Sequence, residues 1–162
     1  MVKKFLIATL LAGVTFWGWK WLESDSQKIK KELQSLAKAL SYDNAPRGIE
    51  VMGRAREISD HFAPEVTVTL QFSHRENVEM VSRAEILEKS LFMFKAMPSV
   101  KVEFVDINIK GIDGPKAAVE TTMKLHLNRE SNQTEAIEVH LQMHKEKRWM
   151  IDGLKTVEAI NL

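Results

Sequence analysis

Two successive stretches in the second half of the chain place apolar residues at every other position, and this pattern limits the fold more than any other feature. Odd-numbered Val119, Thr121, Met123, Leu125 and Leu127 are followed, beyond a turn at 130–133, by Ile137, Val139, Leu141 and Met143. A period of two sends alternate side chains to opposite faces of a pleated strand. Joined through that turn, the two strands present one apolar face, which must be covered. The opposite face carries Glu120, Lys124, His126, Glu138, His140 and His144, a mixed-charge set suited to water.

The same alternation predicts strands at 100–110, 117–129, 134–145 and 148 to about 160. In the first, Val100, Val102 and Phe104 share one phase while Val105, Ile107 and Ile109 take the other. An inserted residue near Phe104, and a sharp bend there, are therefore expected. Upstream, Val66, Val68, Leu70 and Phe72 alternate with polar residues, and 78–81 is a short partner strand across 73–77.

Cover for the apolar face comes from segments with a helical period. Ile29, Leu33, Leu36, Ala37 and Leu40 form one stripe, ending near Tyr42. After a turn at 43–46, Ile49, Met52, Ala55, Ile58 and Phe62 mark a second helix that must stop before Pro64. Ser82-Arg83-Ala84-Glu85 has the spacing of a capping box and opens a third helix over about 83–96, closed by Pro98. The order ααββαββββ defines an α+β class.

The N-terminus is of another kind. Lys3 and Lys4 precede an apolar run from Phe5 to Leu22, which as a helix spans about 27 Å, close to a hydrocarbon layer of about 30 Å. Trp17, Trp19 and Trp21 cluster with Lys20 at its end, where indoles favour the headgroup region. No small-residue cleavage pattern follows the run. The expectation is an uncleaved signal anchor in a bacterial inner membrane: 1–4 cytoplasmic, 5–22 spanning, 23–25 a linker, and one domain over 26–162 facing the periplasm or exterior.

Composition excludes several chemistries. Lys plus Arg number 23 against 22 Asp plus Glu, so a net charge of +1 provides no field to gather polyanions, and no nucleic acid partner is expected. With no cysteine, thiolate nucleophiles, iron–sulfur clusters and cysteine zinc sites are excluded.

The polar residues offer little catalytic chemistry. A strand pairing through 130–133 sets His126 opposite Glu138 and Glu120 opposite His144, and a hairpin through Glu146 sets Asp152 opposite His140. His140 and Asp152 are the best acid–base candidates, since a carboxylate orients and charges an imidazole, yet no nucleophile accompanies them and a structural ion pair is expected. His140 and His144, four residues apart on a strand, lie about 13 Å apart and cannot share a metal. No metal or cofactor is expected. His61 belongs to a helix C-terminus and His74 to a loop, while Tyr42 packs a turn. Asp106 and Asn108 follow the expected bulge, where a bend re-aims side chains. Phe62, Phe72, Phe92, Phe94, Phe104 and Trp149 are either core or a pocket mouth.

The phrase Phe-Ala-Pro-Glu-Val-Thr-Val at 62–68, the closing Arg148-Trp149-Met150-Ile151 and the element order resemble the nuclear transport factor 2-like (SnoaL-like) superfamily over residues 26–162. That resemblance implies a strongly curved antiparallel sheet wrapped around three helices as a cone, with a small ligand at its open end. Pocket candidates are then Phe62, Leu70, Phe94, Phe104, Asp106 and Trp149. Ketosteroid-isomerase-like members use an Asp base and a Tyr oxyanion donor; their positions fall on Leu70 and near Leu36, both apolar here.

The leading expectation is a membrane-tethered interaction or scaffold domain without catalysis, its outer sheet face available for self-association or an envelope partner. This plan is similar to inner-membrane scaffold subunits of type IV secretion systems. A binder of a small apolar ligand comes next, and an isomerase or dehydratase third. An apolar cavity of about 300 Å³ or more would favour the binder.

Overall fold

The computed structural model describes residues 24–71, 78–127 and 134–161. The proposed span 5–22, with Lys3, Lys4, Trp17, Trp19, Lys20 and Trp21, lies outside these residues, as do Phe72, His74 and the turn at 130–133. No helix among the described residues is long and apolar enough to cross a membrane.

Helix α1 (Asp25–Leu40) starts inside the segment expected to be linker, because Ser24 is its N-cap: the Ser24 hydroxyl accepts from the Gln27 amide at 3.3 Å. Its buried stripe is Ile29, Leu33, Leu36, Ala37 and Ala39. Past its end, Tyr42 exchanges both backbone hydrogen bonds with Val100, at 2.7 and 2.9 Å.

Helix α2 (Ile49–Asp60) buries only Ala55, Ile58 and Ser59. Ile49 and Met52, expected on the same stripe, are exposed, Ile49 to 97%. The reason lies in the spacing. Strict three-residue steps walk about 60° backwards round a helix each time, so Ile49 ends on the side opposite Ile58. Phe62, the last residue of that supposed stripe, instead opens strand β1 (Phe62–Leu70).

Strand β2 (Val78–Ser82) returns antiparallel to β1, and Ser82 caps helix α3 (Arg83–Ala96) by accepting from the Glu85 amide at 3.3 Å. The Glu85 carboxylate reaches back to the Val81 amide at 3.0 Å, one residue earlier than a capping box requires. Arg83 Nε donates to the Phe62 carbonyl at 2.8 Å, tying the start of α3 to the start of β1.

Strands β3 (Val100–Asp113), β4 (Lys116–Leu127), β5 (Thr134–Lys145) and β6 (Trp149–Asn161) form a meander, and the six-stranded sheet runs β2-β1-β6-β5-β4-β3. The sheet is mixed, not wholly antiparallel as expected: β6 lies parallel to β1, with Phe62 beside Ile151 and Val68 beside Leu154. After the β1–β2 hairpin the chain crosses by way of α3 to the far edge. Four up-and-down strands then bring β6 back to β1 running the same way.

The apolar faces of β4 and β5 meet as the alternation requires, Val119 opposite Leu141, Thr121 opposite Val139 and Met123 opposite Ile137. The register itself differs from expectation. Glu120 faces His140, His126 faces Thr134 and Lys116 faces His144. Each partner is shifted by an even number of positions, so the faces survive while the predicted charge pairs do not.

Two bulges decide the rest. In β3 the ladder slips between Val105 and Asn108, at Asp106, which has a φ of 55°. The expected extra residue is thus present just beyond Phe104. The buried Thr121 hydroxyl takes up the Val105 carbonyl at 2.7 Å. In β6 the ladder slips where Gly153 pairs with Gln142 and Ile151 with Met143, so Asp152 is the extra residue. The expected His140–Asp152 pair does not form, because the hairpin already pairs Lys145 with Trp149, which would set His140 opposite Leu154, and the extra residue moves its partner one further, to Lys155.

Candidate functional site

The inner faces of sheet and helices do not close on each other everywhere. Between them lies a cavity of about 410 Å³. Its sheet wall comes from Val68 and Leu70 of β1, Val102 and Phe104 of β3, Met123, Leu125 and Leu127 of β4, and Leu154 of β6. The helical wall includes Leu36 of α1, Ile58 of α2, and Ile86 and Met93 of α3. Two local features accompany it. Ser90 is small where α3 faces the sheet, and its hydroxyl is turned back to the Ile86 carbonyl at 2.8 Å. Leu125 and Leu127, near the end of β4, are only half-buried.

The polarity of this lining is sharply distributed. Lys89 and Glu135 are its only ionisable residues among those described, and both are exposed. Phe92, 69% exposed, stands on the same rim. Inside, Leu36, Ile58, Val68, Val102 and Leu154 are buried hydrocarbon, and the one polar side chain among the described residues, Ser90, is already bonded.

Of the expected pocket residues, Phe62, Leu70 and Phe104 line this cavity. Phe94 does not: it is core, its ring edge-on to Tyr42 at 5.3 Å and 72°. Trp149 is also core, buried where β6 begins, with its Nε1 donating to Asp25 at 3.3 Å. Asp106 is exposed, because the bulge that carries it turns the side chain out to water. Leu36 and Leu70, where the resemblance placed a Tyr and an Asp, both face the cavity as hydrocarbon. The expected pocket residues do not include the methionines Met80, Met93, Met97 and Met123, which also line it, although patterning places Met123 on the inward face. The signal was their abundance, eight in the chain, since flexible thioethers fill irregular apolar space.

His61, Tyr42 and Asp25 tie elements of the framework together. His61 closes α2 as its C-cap and its Nδ1 lies 2.7 Å from Glu32, which joins α2 to α1. Tyr42 donates to the Met97 carbonyl at 3.3 Å, and burial pushes its pKa up to about 12. Asp25 accepts from Lys145 at 2.7 Å, and this hydrogen bond, helped by that from Trp149, holds its carboxyl below the ordinary value. One Asp152 oxygen is buried without a hydrogen-bond partner among the described residues.

On the outer face Glu120, Glu138 and His140 bring ligand-type atoms within 4.8 Å of one another. These groups already answer each other: Lys110 lies 2.7 Å from Glu120, and His140 Nε2 lies 3.2 Å from Glu138. Lys110–Glu120 is a cross-strand pair worth about 0.2–1 kcal/mol, and His140–Glu138 is a neighbouring pair along β5.

No family model matches the sequence, and no curated protein is significantly similar to it. Solved structures do resemble it. A proposed aromatic ring hydroxylase of Novosphingobium aromaticivorans superposes with a TM-score of 0.66 at 13% identity, covering 85% of this chain and 93% of that one. A proposed scytalone dehydratase of the same organism gives 0.62 at 11% identity over 85% and 87%. A Nostoc punctiforme domain with a cystatin-like fold gives 0.66 at 13% identity over 86% and 80%. The described residues thus adopt the α+β cone of SnoaL-like and NTF2-like proteins, with a curved mixed sheet around three helices.

Proposed function

We propose that this domain binds a small, predominantly apolar molecule in its cone and carries out no reaction on it. One observation carries the reading: about 410 Å³ of space, within the usual range of about 300–1,000 Å³ for small-molecule sites, is walled by hydrocarbon. Acid–base catalysis needs titratable groups within hydrogen-bond reach of the reacting atoms. Here Lys89 and Glu135 stand at the rim, while Leu36 and Leu70 occupy the positions where isomerase-like relatives would carry Tyr and Asp. The dehydratase and hydroxylase names therefore belong to the neighbours alone. Scaffolding through the outer sheet face is the weaker reading, because Lys110, Glu120, Glu138 and His140 pair among themselves and leave a partner little to satisfy. Residues 5–22 would tether the domain to a membrane, a placement supported by Lys3, Lys4 and the tryptophan cluster.

The test is native mass spectrometry of the full chain extracted gently from its host. The expected result is a stoichiometric small-molecule adduct that disappears when Leu125→Trp fills the cavity without altering the circular dichroism. Wild-type protein free of adduct, and unable to take up N-phenylnaphthylamine, would overturn the reading.

A further inference from the structure

Resting on that binding site, we infer that its ligand is a single-headed amphiphile, seated with its hydrocarbon end inward and its one polar group at the rim. The distribution of polar atoms carries this. Ser90, the one polar side chain of the inner wall among the described residues, spends its hydroxyl on the Ile86 carbonyl at 2.8 Å. The remaining inner wall, including Leu36, Ile58, Val102, Met123 and Leu154, is apolar and buried. A ligand hydroxyl, amide or carboxylate carried inside would lose its water and gain no partner.

The rim is the reverse. Lys89 and Glu135 are exposed, and neither side chain has an ion-pair or hydrogen-bond partner among the described residues. They offer a donor and an acceptor to a head group that stays wet, beside the exposed ring of Phe92, a landing surface for the hydrocarbon. Among the described residues, a molecule polar at both ends finds no inner partner for its second head. The four methionines, Met80, Met93, Met97 and Met123, adapt to chain shape, so selection acts on where polarity sits more than on outline.

The experiment is competition on the full chain, with equimolar decanol and decanediol added together and the bound species separated by native mass spectrometry. Decanol adducts should exceed decanediol adducts by about tenfold or more, and Leu125→Trp should remove both. Met123→Gln, which sets an amide inside the cavity, should narrow the preference, with circular dichroism confirming that it folds. Equal occupancy by the two alcohols would overturn the single-headed assignment while leaving the binding site standing. Failure of both alcohols and of N-phenylnaphthylamine to bind would overturn the binding reading and the assignment together.

Discussion

Tyr42 shows how one residue can be structural in every atom it has. Its backbone pairs with Val100, its ring packs edge-on to Phe94, and its hydroxyl donates to the Met97 carbonyl at 3.3 Å, with Met93 a longer second acceptor at 3.5 Å. These long hydrogen bonds contribute at most about 1 kcal/mol, so Tyr42→Phe should cost no more than that at neutral pH by urea denaturation. The pH dependence is more telling. Burial raises the folded pKa from 10.0 to about 12, so the folded state holds this proton more tightly than the unfolded state. The associated stability is complete below pH 10 and is lost as pH rises toward 12. Wild type should lose stability over that window and Tyr42→Phe should not. Since Tyr42 is the chain's single tyrosine, an absorbance titration reads its ionisation directly.

At the level of elements, capping and bulges set where helices begin and strands bend. Ser82 ends β2 and starts α3 in one step, its hydroxyl accepting from the Glu85 amide. Ser82→Ala should cost about 1 kcal/mol, whereas Ser82→Asp should cost much less, as read from denaturation midpoints. The cap was legible from the S-x-x-E spacing, and so was the phase reversal in β3, because both are local patterns. The side-chain consequence of the β3 bulge was not legible. Alternation shows that a residue is inserted, but the positive φ of Asp106 and its outward turn depend on the pairing with β4. The misplaced stripe of α2 has a similar origin: a three-residue repeat looks helical in one dimension yet winds round the cylinder, so only Ala55 and Ile58 reach the core.

For the molecule as a whole, the binding proposed for the apolar cavity would couple ligand uptake to folding. A molecule that enters the native cone and has no affinity for the unfolded chain stabilises the fold by about 2.7 kcal/mol at a hundredfold excess over its Kd. Thermal melts of the full chain with decanol should therefore show a concentration-dependent rise in Tm of several degrees. Leu125→Trp should melt at the same temperature with and without it.

The alternation along β4 and β5 was enough to decide which residues face inward, because a strand has only two faces and an even register error leaves both unchanged. It also required helices to cover one face and left the other to charge. Distances between segments lay beyond it. The parallel seating of β6 on β1, the exact partners of His140, and the burial of Phe94 and Trp149 as core depend on how the meander closes and where ladders slip. The cavity depends on the same things. Hydrophobic patterning specifies that Leu36, Leu70 and Met123 point inward, but only packing in three dimensions determines whether the surfaces they belong to touch or leave a space between them.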